Sequence, residues 1–521
     1  MKHGSKTEIR YHKWTARDAK QLFQSANELL KLKSLQFYMP CFSLYFYVHN
    51  KKHSTQRIDL ERNFYLKEIN EITKERYYNT NMFLKGVVYD SSKDASFDTE
   101  FFCKTIPLVD PMQCINDNYN FVTKTNYHLP SSYNYNTFSK INDMNNTAYI
   151  DVFCSFLFGQ LTYKKLNPSF PLYYGAMNGI GNYKYDISEE YDDIKVDKIF
   201  NETVGKAFEI DMYVSDSDSE SEKSEDDKSD NKSDNKSDSE DSIESIPRSF
   251  SSFGSIQSYH SDKSEQSKKS NQSNQSDESS DFGDDYVAII KDIPLQQLYI
   301  EKLEGTLEDL LDEKIEEEVL LSCFFQISFA LTYLQKHYQF THNDLHINNV
   351  MYTETTTKYL YYKYNNIYYR VPTHGKIFKI IDFGRAIFTY KNKVFLNDVF
   401  SKHGEAGGQY NYPSQVRFLK LTNKENNPQP NYHFDLCRLS MTILEELQSD
   451  DYSEETLDFL KKLCLNHKNE SFCEMRDDFK LYISIAKDAC NCLPREVIVN
   501  NIFKKYRVKK SVFPRKSFYT L

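Results

Sequence analysis

The chain has 521 residues, enough for two domains or one large two-part domain, and 39% of them are hydrophobic, with 40 Tyr and 37 Phe, so a sizeable core is available. Its net charge of −10 comes from one stretch: residues 214–285 hold 20 Asp/Glu against 8 Lys/Arg, and the remainder sums to about +2. The total charge therefore argues for neither an acidic nor a basic partner.

The ten Cys are scattered, and the one close pair, Cys490-x-Cys492, has no second pair to complete a zinc site. This pattern points to buried free thiols in a reducing compartment. The first residues lack an apolar signal core, and the run from Leu35 to Val48 is shorter than the ~20 residues that span a bilayer. A cytoplasmic protein without a membrane partner is expected. Abundant Lys, Asn, Tyr, Phe and Ile with only 15 Gly read as the trace of an AT-rich genome.

In chain order, Thr15 to Lys33 has helical spacing, with Leu22, Ala26, Leu29 and Leu30 on one side. The aromatic run Phe37 to Val48 reads as a buried strand or strand pair, and Phe83 to Tyr89 and Phe101 to Ile106 as strands. Ala148 to Leu161 is helical in character. From 214 to 285 the chain is Ser, Asp, Glu, Lys and Asn with almost no apolar residues; such a segment does not bury enough surface to offset its ordering entropy, so disorder is expected. Leu298 to Lys302 then reads as a strand, Thr306 to Leu311 as a short helix, and Ile315 to Leu334 as a long one with three- and four-residue apolar spacing. Strands are expected at Val350 to Tyr352 and Ile377 to Asp382, and a further helix at Asp435 to Leu447.

The strongest chemical signal is His342-Asn343-Asp344-Leu345-His346-Ile347-Asn348-Asn349, followed by Ile380-Ile381-Asp382-Phe383-Gly384. Phosphoryl transfer asks a protein for positioning and charge neutralisation. An Asp near an acceptor hydroxyl orients it and takes its proton; an Asn five residues on and a second Asp after a strand bind metal that bridges the phosphates. Asp281-Phe282-Gly283 repeats the second motif by chance, because it ends the acidic segment and follows no apolar strand.

These residues resemble the protein kinase catalytic loop and Asp-Phe-Gly motif, and the chain is most similar to the divergent serine/threonine protein kinases of giant DNA viruses. The resemblance implies an α+β, bilobal protein-kinase-like fold, with a small β-rich N-lobe, a larger helical C-lobe and the long disordered acidic insert. Its implied divisions are an N-terminal extension (1–79), an N-lobe in two parts (80–213 and 286–302) around the insert (214–285), and a C-lobe with a basic tail (303–521). It implies ATP and Mg²⁺ as cofactors and transfer of the γ-phosphate to Ser/Thr hydroxyls of a protein substrate. Asp344, His346 and Asn349 would be catalytic, and Asn349 and Asp382 metal-binding. Lys104 would contact the phosphates, paired with Asp151 where kinases usually carry Glu. Glu301 to Gly305, with Glu301 and Leu303 at the nucleotide, would form the hinge whose backbone binds adenine. Asp435 would brace the catalytic loop.

The departures are specific. No Gly-x-Gly-x-x-Gly precedes Lys104; Leu84 to Asp98 offers only Gly86. Asn343 stands where an Arg usually holds a phosphorylated activation loop, which argues against that form of control, and Ala-Pro-Glu is missing between Arg385 and Asn431. His346 occupies a position where Lys is common, and would meet the γ-phosphate as a neutral ring or as His⁺. Asp151 is one methylene shorter than Glu, which puts its pairing with Lys104 in question. Asp344 and Asp382 lie 38 positions apart, about twice the usual separation, and the surplus, 353–372, reads as a lengthened hairpin with Asn365-Asn366 at its turn. Its aromatic density reads as packing in preference to base stacking, and the seven Lys/Arg from 504 to 516 as a solvated tail in preference to a contact for nucleic acid or acidic surfaces, so nucleic acid is not indicated. A catalytically weak scaffold and a small-molecule phosphotransferase stay open as alternatives. Oligomeric state, regulation, and packaging in a particle if the protein is viral are left open.

Overall fold

The computed structural model describes residues 9–38, 57–119, 129–130, 139–213, 285–401, 404, 406–410, 430–447, 451–475 and 478–521. The expected strands from 39 to 48, the acidic segment up to 284, the second Asp-Phe-Gly and all of 411–429 lie outside the described residues. The fold is mixed α+β with antiparallel sheets.

Strand β1 (Tyr11–Lys13) leads into helix α1 (Ala16–Leu30). Thr15 caps the helix, its Oγ1 accepting from the Asp18 N–H at 3.1 Å, and Lys31 ends it in the left-handed conformation. Ala19, Leu22 and Ala26 form its buried stripe. Then come β2 (Lys33–Phe37), β3 (Ile58–Leu60), β4 (Phe64–Glu75), β5 (Met82–Asp90) and β6 (Ala95–Pro107). Helix α2 (Thr147–Tyr163) is buried almost all round, and is followed by β7 (Tyr173–Asp186), β8 (Phe208–Tyr213) and β9 (Asp285–Glu301).

Seven strands form one antiparallel sheet in the order β2-β7-β9-β6-β5-β4, with β8 beside β9. The sheet draws on β2 and β4, both before residue 80, so the expected N-terminal extension is not separate from it. Arg62 ties this early segment down: buried, it pairs with Asp59 at 2.7 Å and donates to the Phe64 and Tyr174 carbonyls. Gly175, at φ +156°, leaves room for it; a Cβ there would sit 2.9 Å from the Arg62 guanidinium.

After β9 the chain becomes mainly helical. Short strand β10 (Gly305–Thr306) precedes α3 (Leu307–Asp312), whose start is a capping box between Thr306 and Asp309. Helix α4 (Glu317–Tyr338) is long and apolar enough to cross a membrane by length and composition, yet 83% of its most apolar window is buried inside the protein. Expected to be apolar on one side, it is covered on several, because a ribbon of β12 (Tyr359–Tyr364) and β13 (Ile367–Pro372) packs on Phe325 and Phe329. That ribbon is the expected lengthened hairpin, turning at Asn365 with φ +51°. It lies between β11 (Val350–Glu354) and β14 (Lys376–Ile380), which pair with each other and, through β11, with β10. Hairpin β15 (Ile387–Tyr390) and β16 (Lys393–Leu396) follows, then α5 (Phe434–Glu446), α6 (Glu454–Leu463) and α7 (Asp478–Asp488). The basic C-terminal stretch, read as a solvated tail, instead forms β17 (Arg507–Val508) and β18 (Tyr519–Thr520), which pair with β13 and β12. All nine described cysteines are free thiols, Cys473 and Cys490 exposed and the others buried.

Candidate active site

The two motifs meet because β11 and β14 pair. Val350 lies opposite Ile380, and the Ile381 N–H donates to the Asn349 carbonyl at 3.1 Å. This register carries Asp382 to the segment 342–349 despite the long ribbon between them. Asn349 Nδ2 donates to the Asp344 carbonyl at 2.8 Å, closing the loop on itself. Asn343 (φ +63°) and Asp382 (φ +60°) occupy the left-handed region that Asn and Asp tolerate best. At Gly384 a Cβ would lie 3.2 Å from Asp382 Oδ1, so a larger residue there would press on the Asp382 carboxylate.

From the sheet, Lys104 on β6 reaches both acids, 2.7 Å from Asp151 on α2 and 2.8 Å from Asp382. The shorter Asp151 side chain therefore makes the ion pair. Its second oxygen accepts from the Phe383 N–H at 3.0 Å, so one carboxylate orients both the lysine and the Asp-Phe-Gly backbone. Phe383 is buried against Phe158, Phe340 and His342, with ring centroids 5.1, 6.1 and 5.6 Å away.

The charges divide unequally. Burial opposes the Lys104 ammonium, but Asp151 and Asp382 together raise its pKa. Burial and the nearby Asp382 push the Asp151 carboxyl up. Burial also acts against ionised Asp382, yet Lys104 brings it below the ordinary carboxylate range, and 34% of its side chain is exposed. Asp344 is held low as well: Arg385, His346 and the Tyr482 hydroxyl outweigh its burial. Tyr482 on α7 donates to Asp344 Oδ1 at 2.7 Å, and Arg385 lies 3.9 Å from the same oxygen.

His346 does not carry the charge allowed for it in the sequence. Burial lowers its pKa, and Nε2 sits 3.0 Å from Asn349 Nδ2; as acceptor from the amide it is the neutral ring protonated on Nδ1. Protonating Nε2 would break this contact and free Asn349 to turn. The acidic limb of any activity this site supports should accordingly fall below pH 6.5, read from an initial-rate profile; a limb centred at or above 6.5 would contradict the assignment.

Asp435 on α5 accepts from the His342 N–H at 3.0 Å and the Asn343 N–H at 2.9 Å, so it braces the loop. Asp435→Ala should lower stability by about 3 kcal/mol, because two buried N–H groups lose their acceptor; an unchanged denaturation midpoint would refute that role. Asn343 Nδ2 donates to the Arg385 carbonyl at 3.0 Å, and Tyr410 donates to its Oδ1 at 2.5 Å.

Glu301 is committed as a brace. Its carboxylate accepts from Lys379 at 2.7 and 2.8 Å and from the Leu172 N–H at 2.8 Å, and its own N–H donates to the Leu172 carbonyl at 2.9 Å, so neither the side chain nor the N–H is left for a ligand. Leu303 is buried, next to Glu304, whose N–H donates to the Tyr352 carbonyl. The turn that adjoins Lys104 is 76–81, between β4 and β5, rather than 84–98. It contains no glycine and is fixed to the residue after Lys104: Thr105 N donates to Asn81 Oδ1 at 2.8 Å, and Thr105 Oγ1 to the Thr80 carbonyl at 2.9 Å. Tyr482, Arg385 and Tyr410 carried no signal in the sequence, since each reaches the loop from a distant segment.

Compared with known proteins, the chain is 27% identical over 145 residues to the serine/threonine-protein kinase haspin of Mus musculus. The match covers 28% of this chain and 18% of that protein. No family model matches. Over that part, the relationship is protein-kinase-like.

Proposed function

We propose that the chain is a bilobal, ATP-dependent protein kinase that transfers a γ-phosphate to Ser/Thr hydroxyls. The observation that carries this reading is the junction of Lys104 with Asp151 and Asp382 beside the Asp344–Asn349 loop. The strand order from β4 to β9 and the helical second half support two lobes with a cleft between them. The partial similarity to a serine/threonine kinase supports the reaction class.

Lys104 would neutralise phosphate oxygens, and the Glu301–Leu303 backbone would take the adenine edge. Asp344 would orient the acceptor hydroxyl and receive its proton, with Tyr482 and Arg385 fixing the carboxylate. Among the described residues no group of three or more His, Cys, Asp or Glu could hold a metal ion alone. Mg²⁺ in nucleotide sites takes one or two protein oxygens and completes its shell with phosphates and water, so Asp382 and the Asn349 amide fit it. When bound, the ion would neutralise charge developing on the phosphates.

The glycine-free turn at 76–81 favours one other reading, a nucleotide-binding scaffold with little transfer activity. Purified protein should incorporate label from γ-labelled ATP and Mg²⁺ into Ser- and Thr-containing members of a peptide library. Label in small alcohols alone would make it a small-molecule phosphotransferase. A thermal shift with Mg²⁺-ATP but no transfer to any acceptor would leave the scaffold.

A further inference from the structure

The ribbon between the two motifs and the basic C-terminal stretch are far apart in the chain but form one four-stranded sheet, in the order β17-β13-β12-β18. Its inner face, Leu360, Tyr362, Tyr369 and Val371, is buried, and the two tyrosines pack on Phe325. Strand alternation turns Tyr359, Tyr361, Lys363, Tyr368 and Arg370 the other way. The register sets Tyr361 opposite Arg370 and Lys363 opposite Tyr368, so rings and cations alternate across the strands. Arg370 lies 4.7 Å over the Tyr359 ring, and Lys363 5.8 Å over Tyr368. Phe513 joins them, with centroids 5.7 Å from Tyr361 and 4.9 Å from Tyr368. Tyr359 is 39% exposed, and Arg370 is exposed.

The charge is one-sided. Residues 355–376 contain four Lys/Arg and residues 497–521 seven, with no Asp or Glu in either stretch. Lys505 is engaged by Glu318 at 2.7 Å and Arg507 by the Val499 carbonyl, while the other five cations of the C-terminal stretch are exposed. The inward tyrosines belong to the core, whereas the outward ones are half-buried or exposed and meet Phe513 and the two cations rather than the core.

We propose that this outer face binds single-stranded nucleic acid, its lysines and arginines meeting phosphates and its tyrosines stacking on bases. Single strands combine a polyanionic backbone with exposed π-faces, and stacking platforms set among cations match both. An acidic protein surface would use the cations but not the rings. A lipid surface takes apolar side chains inserted beneath its headgroups, whereas the rings here are mostly phenols, two of them covered by cations.

The test is fluorescence anisotropy of the intact protein with a labelled oligothymidylate of about 15 nucleotides, a length in the range of known single-strand sites. Binding should weaken as salt rises, and Lys363→Ala or Arg370→Ala should each flatten the log–log salt slope by about 0.7. The double variant Tyr359→Ala/Tyr361→Ala should bind roughly 10-fold more weakly with its melting temperature unchanged. If that variant melts early, Arg370→Glu, which keeps the rings, should show a similar loss. Absence of binding at low salt, equal binding by wild type and variants, tighter binding to a duplex, or binding to phosphatidylserine vesicles alone would each overturn the proposal.

Discussion

Asp382→Ala should reduce phosphate transfer by at least about 10³-fold, the roughly 4 kcal/mol expected when a metal's protein ligand is removed from the charge-neutralising set. Folding should survive. Lys104 keeps Asp151 at 2.7 Å, and removing the second negative charge relieves the pressure that raises the Asp151 carboxyl. The melting temperature should therefore change little while the stabilisation by Mg²⁺-ATP falls. Both readings come from one preparation, by thermal melting and by incorporation of label. Full transfer activity in this variant would remove Asp382 from the reaction and take the proposed function with it.

Asp344→Asn should be nearly as severe, a loss of roughly 10² to 10⁴-fold in kcat, the range for a positioned proton acceptor. The substitution is nearly isosteric, and its amide oxygen still accepts from the Tyr482 hydroxyl, so nucleotide affinity should stay close to wild type. A loss confined to KM would mean that Asp344 only places the substrate. The carboxylate's low pKa sets the pH window. Burial opposes ionisation, but Arg385, His346 and Tyr482 depress the folded value below the ordinary one. The stability Asp344 contributes is thus present above the unfolded value near 3.8 and is lost as pH falls through the lower folded value. Across neutral pH the group is ionised, as the proposed proton acceptor must be.

Residues with local spacing were readable from the chain. Asp344, Asn349 and Asp382 announced themselves because five positions and a preceding apolar strand are short-range features. The ribbon of β12 and β13 was legible for the same reason, from two Tyr-rich runs around Asn365-Asn366. Strand β4 was not. In Phe64–Glu75 the buried Tyr65, Leu66 and Ile69 are spaced as on a helix, among Glu and Lys that favour helices. Register shifts between Leu66 and Glu68, Ile69 and Glu71, and Ile72 and Lys74 allow that spacing in a strand. With β4 unassigned, the turn near Lys104 was sought in the wrong place. Lys379 with Glu301, and Tyr482 with Asp344, were invisible because pairs separated by 78 and 138 positions leave no trace in a single sequence.

The contact of Tyr410 with Asn343 has a consequence for control. In a kinase whose loop arginine waits for a phosphorylated residue, added negative charge orders the segment after Asp-Phe-Gly. Here an amide and a phenol, both uncharged, do the fastening. Such a contact carries no phosphoryl group, and ionic strength, which screens charge pairs far more than neutral ones, should hardly weaken it. In the proposed kinase, a segment fastened this way would need no phosphoryl transfer to reach its place, so activity would follow the amount of protein.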